Sequence, residues 1–187
     1  MIVRWFKAWS LKRAAKKAVT KTAATKTLRV HLRVFFPTRY KVATMLDNAR
    51  SMLKPADIEI AEQSYAKVTD GTRLQVVEFK RKSDMDEIKK RENVSDDREV
   101  VVYFVNATID PYNGASTRGS YKPWIIVTTS TSEWTLAHEI GHVLGLDDTK
   151  DSTDRLMTAA GTHSITNRPP DLNAYEIETI KKSKLLF

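Results

Sequence analysis

The sequence predicts one α+β domain behind a basic leader, and three patterns carry that expectation. Leu28-Arg-Val-His-Leu-Arg-Val34 alternates apolar and polar residues with the period of a strand that buries one face. Val100-Val-Val-Tyr-Phe-Val105 is an unbroken β-prone run, as expected of a strand covered on both faces. Residues 130–144 place apolar side chains at helical spacing between a cap signal at each end.

The elements follow in order. Pro37 ends the first strand, and Leu46, Ala49, Met52 and Leu53 form the apolar stripe of a helix over 43–54 that Pro55 closes. Ile58 with Ile60, and Leu74 to Phe79, read as two further strands. Ser83 is a cap candidate for a short, highly charged helix through Glu92. After the 100–105 strand, residues 106–122 carry Asn, Gly, Pro and Ser and read as a long irregular segment, followed by a strand at Trp124-Ile-Ile-Val127. Ser130 and Glu133 fit a capping box for the next helix, and Gly145 stands where a left-handed residue would stop it. Pro169-Pro170 precedes a last helix over Leu172 to Leu185. Trp124 and Trp134 are expected in the core.

Composition bounds the function. The chain has 187 residues, 41% hydrophobic and 29% charged, enough for one domain with a sizeable core. It has no cysteine, which excludes disulfides, a thiol nucleophile and thiolate metal ligands. No apolar run is long enough to span a bilayer, and no 7–15-residue apolar core follows the first charges as a secretory signal requires. The net charge of +8 is unevenly placed: twelve of the 31 Lys and Arg lie at or before Lys41, the first acid is Asp47, and the remainder is net acidic. Residues 1–26 are therefore set apart as a basic tail, with 27–187 as the folded domain. In the tail Ile2, Trp5, Phe6 and Trp9 share a helical face opposite Arg4 and Lys7, a pattern that suits an anionic membrane surface, although Lys12, Arg13, Lys16 and Lys17 then interrupt it. A leader without specific binding, or an organelle transit peptide, fits the same composition. No aromatic-basic groove motif supports nucleic-acid binding. The delivery route and compartment are left open.

Chemistry concentrates in His138-Glu-Ile-Gly-His142. Residues i and i+4 share a helix face, so both imidazoles can address one ion, and Glu139 lies beside the first ligand within reach of a water on that ion. Catalytic zinc takes three protein ligands and keeps an open position. Gly145 lets the chain leave the helix sharply, and Asp148 follows three residues later as the expected third ligand. Asp147 is the neighbouring alternative and His163 a spare. Asp110, Asp151 and Asp154 are either calcium ligands or solvated loop acids, the second being the simpler reading.

The string from His138 to Asp148 resembles the metzincin clan of zinc peptidases, in the variant with Asp as third ligand. Leu156-Met157-Thr-Ala resembles that clan's Met-turn, and the spacing from Asp148 to Met157 is similar to that of the matrixins. The resemblance is sharp over 124–187, architectural over 27–123 and absent from the tail. It implies a twisted, mostly parallel sheet packed on an active-site helix, with a Met-turn and a C-terminal helix. It implies Zn2+ held by His138, His142 and Asp148, with Glu139 as general base, Met157 beneath the metal, and a protein or peptide substrate. An edge strand within Tyr121 to Val127, or just before it, would pair with an extended substrate, and Thr158 to His163 would line the pocket for the side chain after the cut. A Tyr two residues beyond the Met, used by some members, is replaced by Ala159. The charged segment 84–92 is not part of the minimal fold. The expectation is a monomeric zinc endopeptidase. The alternatives are a catalytically silent zinc-site protein, and a membrane- or nucleic-acid-binding module acting through the tail.

Overall fold

The computed structural model describes residues 24–68, 76–91, 93–150 and 153–187. The basic tail, and with it the expected membrane-facing helix, lies outside the described residues, as do Leu74 and Asp151. Among the described residues, helices and strands run in the order β1 (Lys26–Val34), α1 (Val42–Leu53), β2 (Ile58–Lys67), β3 (Val76–Val77), α2 (Lys82–Lys89), β4 (Val100–Phe104), β5 (Ala107–Thr108), β6 (Gly114–Ser116), β7 (Trp124–Val127), α3 (Thr135–Val143) and α4 (Ala174–Lys181).

The main sheet has the order β2-β1-β4-β7-β6. Its first four strands are parallel, and β6 runs antiparallel, against β7. This is the mostly parallel sheet that the resemblance implied, in the α+β domain expected from the sequence. Period-two alternation sorts the side chains. Leu28, Val30, Leu32, Val100, Val102, Phe104, Ile125 and Val127 point to one face, where they pack with α1, α3 and the apolar side of α4. Val101, Tyr103, Val105 and Ile126 point to the other, where Val77 of β3 and Ile88 of α2 cover them. All five residues of β4 are buried, so its uninterrupted apolar run reflects burial on both faces. The charged helix α2 is accordingly part of the architecture, since together with the β3–β5 pair it closes the second face of the sheet. Trp134 is buried and Trp124 packs against Phe79, both in the apolar clusters as expected.

Three local expectations are corrected. Ser130 and Glu133 do not cap α3, which starts at Thr135. The Ser130 hydroxyl is engaged with Thr128 and Asn113, and Glu133 pairs with Arg168, so the turn that they would have capped is organised by Ser132 and Thr135 instead. Ser83 likewise does not cap α2, whose first turn is tied by Asp84 accepting from the Glu78 amide. Among the described residues a capping box stands at α4, where Asn173 accepts from the Glu176 amide and Glu176 accepts from the Asn173 amide. Finally, the segment 106–122 is not wholly irregular: it holds β5 and β6.

Candidate active site

α3 is built to stop at a fixed place. Gly145 adopts φ 106°, the Leu146 amide donates to the Gly141 carbonyl at 2.9 Å, and the Gly145 amide donates to the His142 carbonyl at 2.9 Å. This pair of bonds is a Schellman stop, and the left-handed residue at its centre favours glycine. The stop presents the Leu146 carbonyl to His142, whose Nδ1 donates to it at 2.9 Å, while His138 Nδ1 donates to the Leu156 carbonyl at 2.8 Å. A carbonyl only accepts, so each Nδ1 carries the proton and each Nε2 presents a lone pair.

Those two Nε2 atoms face each other at 3.1 Å, and Asp148 Oδ1 stands 3.5 Å from one and 3.4 Å from the other. With both imidazoles in the neutral tautomer, three acceptors converge with no protein donor among them. Burial holds His138 below the ordinary imidazole value, opposed by its bond to the Leu156 carbonyl, so at neutral pH a proton is a poor filler for the gap. A cation resolves the repulsion. The edge of a tetrahedron with zinc–ligand distances of about 2.0–2.1 Å is about 3.3 Å, which fits the observed triangle. Among the described residues, this is the group of three His, Asp or Glu side chains close enough to hold a metal ion.

Glu139 lies beside the triangle, 6% exposed. Burial raises its pKa above the ordinary carboxylate value, and the Ser116 hydroxyl, donating to Oε2 at 2.6 Å, works the other way. Ser116 comes from the antiparallel edge strand β6. Two residues earlier, a Cβ on Gly114 would come within 2.7 Å of Glu139 Oε1, so the edge strand passes over the carboxylate only because that position is glycine. Met157 is fully buried under α3, and a Cβ on Gly141 would stand 2.5 Å from its Sδ. The glycine within the His-Glu-Ile-Gly-His string is thus the socket for Met157.

The structure also separates the alternatives. Asp147 turns to Arg118, with which it forms an ion pair, and leaves the triangle to Asp148. His163 Nε2 donates to the Ser130 carbonyl at 2.8 Å and is not part of the triangle. The cleft around the triangle has a volume of about 570 Å³ and is lined by residues that include Gly114, Ser116, Thr135, Thr158 and Thr162. Thr158, Ala159, Gly161 and Thr162 of the expected pocket segment do line it. Of the two places expected for the edge strand, Tyr121–Val127 is excluded because β7 is internal and paired on both sides; the sheet edge beside the cleft is the strand before it, β6 at Gly114–Ser116. Ser116, Gly114 and Gly141 went unassigned from sequence, because nothing in their local pattern marks what crosses above or below them.

These features sit on a fold of the zincin-like class. No family model and no curated protein matches the sequence. Solved structures do match. Metalloproteinase-II from Bacteroides fragilis aligns with a TM-score of 0.65 and 20% identity, over 86% of this chain and 55% of that one. An archaemetzincin from Methanopyrus kandleri aligns with a TM-score of 0.57 and 12% identity, over 88% of this chain and 98% of that one. A chain from a chaperone–substrate complex gives 0.60 and 13%, over 86% and 34%. The chain thus spans about half the length of the Bacteroides protein, and at these identities the likeness is one of fold.

Proposed function

We propose that the chain is a zinc-dependent endopeptidase of the metzincin type, matrixin-like in the spacing of its Met-turn but with Asp148 as third ligand. One observation carries the reading: the Nε2 atoms of two imidazoles and a carboxylate oxygen converge on one place, with the buried Glu139 next to it in an open cleft. His138, His142 and Asp148 hold the ion. When bound, zinc supplies a Lewis acid that activates water and polarises a peptide carbonyl.

The chain's own residues do the rest. Glu139 takes the proton of the attacking water and passes it to the departing amine. Ser116 steadies the carboxylate in its ionised form through the bond at 2.6 Å. The exposed edge of β6 offers backbone donors and acceptors to an extended protein or peptide substrate, which would add as a further strand. Thr158 to Thr162 form a wall of the pocket beside it. The enzyme acts as a monomer.

The test is metal analysis of the purified chain together with digestion of an unstructured protein such as casein. Bound zinc, cleavage by the native chain and no cleavage by Glu139→Ala is the expected result. Equal cleavage by that variant would remove Glu139 from its role, and bound zinc without cleavage would leave a silent metal-site protein.

A further inference from the structure

Asp148 differs from the two histidines in how it is held. Each imidazole is oriented by a carbonyl and lies on a rigid helix, whereas the Asp148 side chain is 45% exposed and leaves the helix stop on a loop. An aspartate has two side-chain torsions, so its oxygens follow any displacement of its backbone. Something must fix that backbone.

We infer that Thr149 is the positioning residue for the third ligand, acting through the carbonyl of Met157. The Thr149 amide donates to the Met157 carbonyl at 2.6 Å, and Thr149 Oγ1 donates to the same oxygen at 3.1 Å. Both lone pairs of one carbonyl are thereby spent on one residue. The Ala159 amide closes the ladder by donating to the Thr149 carbonyl at 2.8 Å. Met157 in turn seats its sulfur against Gly141, between the two ligand histidines in sequence. One residue thus registers the ligand loop, through its carbonyl, against the ligand helix, through its side chain. The hydroxyl of Thr149 is the part of this link a substitution can remove while the backbone bonds remain. Partners one layer behind metal ligands set ligand orientation and so metal affinity.

The inference rests on the zinc reading above, and its test keeps the two apart. The full chain, native and as Thr149→Val, Thr149→Ala and Thr149→Ser, is titrated with cobalt(II), read by its visible absorption, and with zinc against a chromophoric chelator. Circular dichroism of the metal-free forms reports folding. Loss of one hydrogen bond predicts zinc binding weaker by about three- to tenfold in the Val and Ala variants, with an altered cobalt spectrum. Thr149→Ser, which keeps the hydroxyl, retains native affinity and spectrum. Native affinity and spectrum in a folded Val or Ala variant, or a loss that the Ser variant shares, overturns the inference. If the native chain takes up neither ion, the zinc reading itself falls and the inference falls with it.

Discussion

Two backbone carbonyls, those of Leu146 and Leu156, decide which nitrogens His138 and His142 offer, and the rest of the site follows from that choice of tautomer. His138 and His142 come together because i and i+4 on a helix are neighbours whatever the fold around them, and Asp148 joins them because the Gly145 stop turns the chain back at a fixed place. Ser116 was hidden because its contact with Glu139 spans 23 residues of chain and needs the sheet to form first. Two predictions belong here. Glu139→Gln keeps the shape of the side chain but cannot accept the proton, and kcat/KM for a peptide substrate should fall by about 10²–10⁴-fold with metal content unchanged. Ser116→Ala removes a donor that favours the ionised carboxylate. The Glu139 pKa, already raised by burial, should rise further, so the acid limb of the pH–rate profile should move to higher pH. A profile that stays in place or moves to lower pH would show that the hydroxyl does not support the charged form.

At the scale of elements, α3 was legible at its end and misread at its beginning. The Gly145 stop depends on a local backbone requirement, φ 106°, that glycine advertises in sequence. The start depends on which hydroxyl wins: Ser130 is drawn off to Asn113, an interaction with the loop before β6 that no local rule contains. Strand β6 was missed for a related reason. Gly114-Ala-Ser116 has little strand propensity and exists because β7 offers it an antiparallel partner. The element-scale prediction concerns the socket under α3. Gly141→Ala drives a methyl to within 2.5 Å of the Met157 sulfur, an overpacking that should cost about 1–3 kcal/mol in denaturant unfolding. A smaller substitution at Met157 should relieve part of that cost if the two positions are coupled through this contact.

Across the whole molecule, the alternating run marked β1 as a strand with one buried face and the unbroken run marked β4 as a strand covered on both, because burial pattern is a one-dimensional property of a strand. The sheet order was not legible, since parallel neighbours are set by crossovers that leave no local mark. One long-range feature sets a global property. His31 on β1 donates toward Glu99 at the head of β4 at 3.0 Å, both nearly buried. Burial alone would raise the Glu99 pKa. The bonds from His31 and from the backbone of Asp96 and Ser95 outweigh it, and the carboxyl sits below its ordinary value of 4.5. A carboxyl whose pKa is lower in the folded state stabilises the fold above the unfolded value and loses that contribution as pH falls through the folded one. Unfolding free energy should therefore decline on acidification below about pH 4.5, and Glu99→Gln should flatten that decline in a pH series of denaturant melts.

The central claim is that His138, His142 and Asp148 jointly hold one zinc ion, and zinc-edge X-ray absorption of the purified chain tests it most directly. The account predicts a four-coordinate ion with nitrogen and oxygen ligands at about 2.0–2.1 Å, two of them imidazoles, and a changed shell in Asp148→Ala. A native chain that carries no zinc, or a shell that Asp148→Ala leaves untouched, would contradict it.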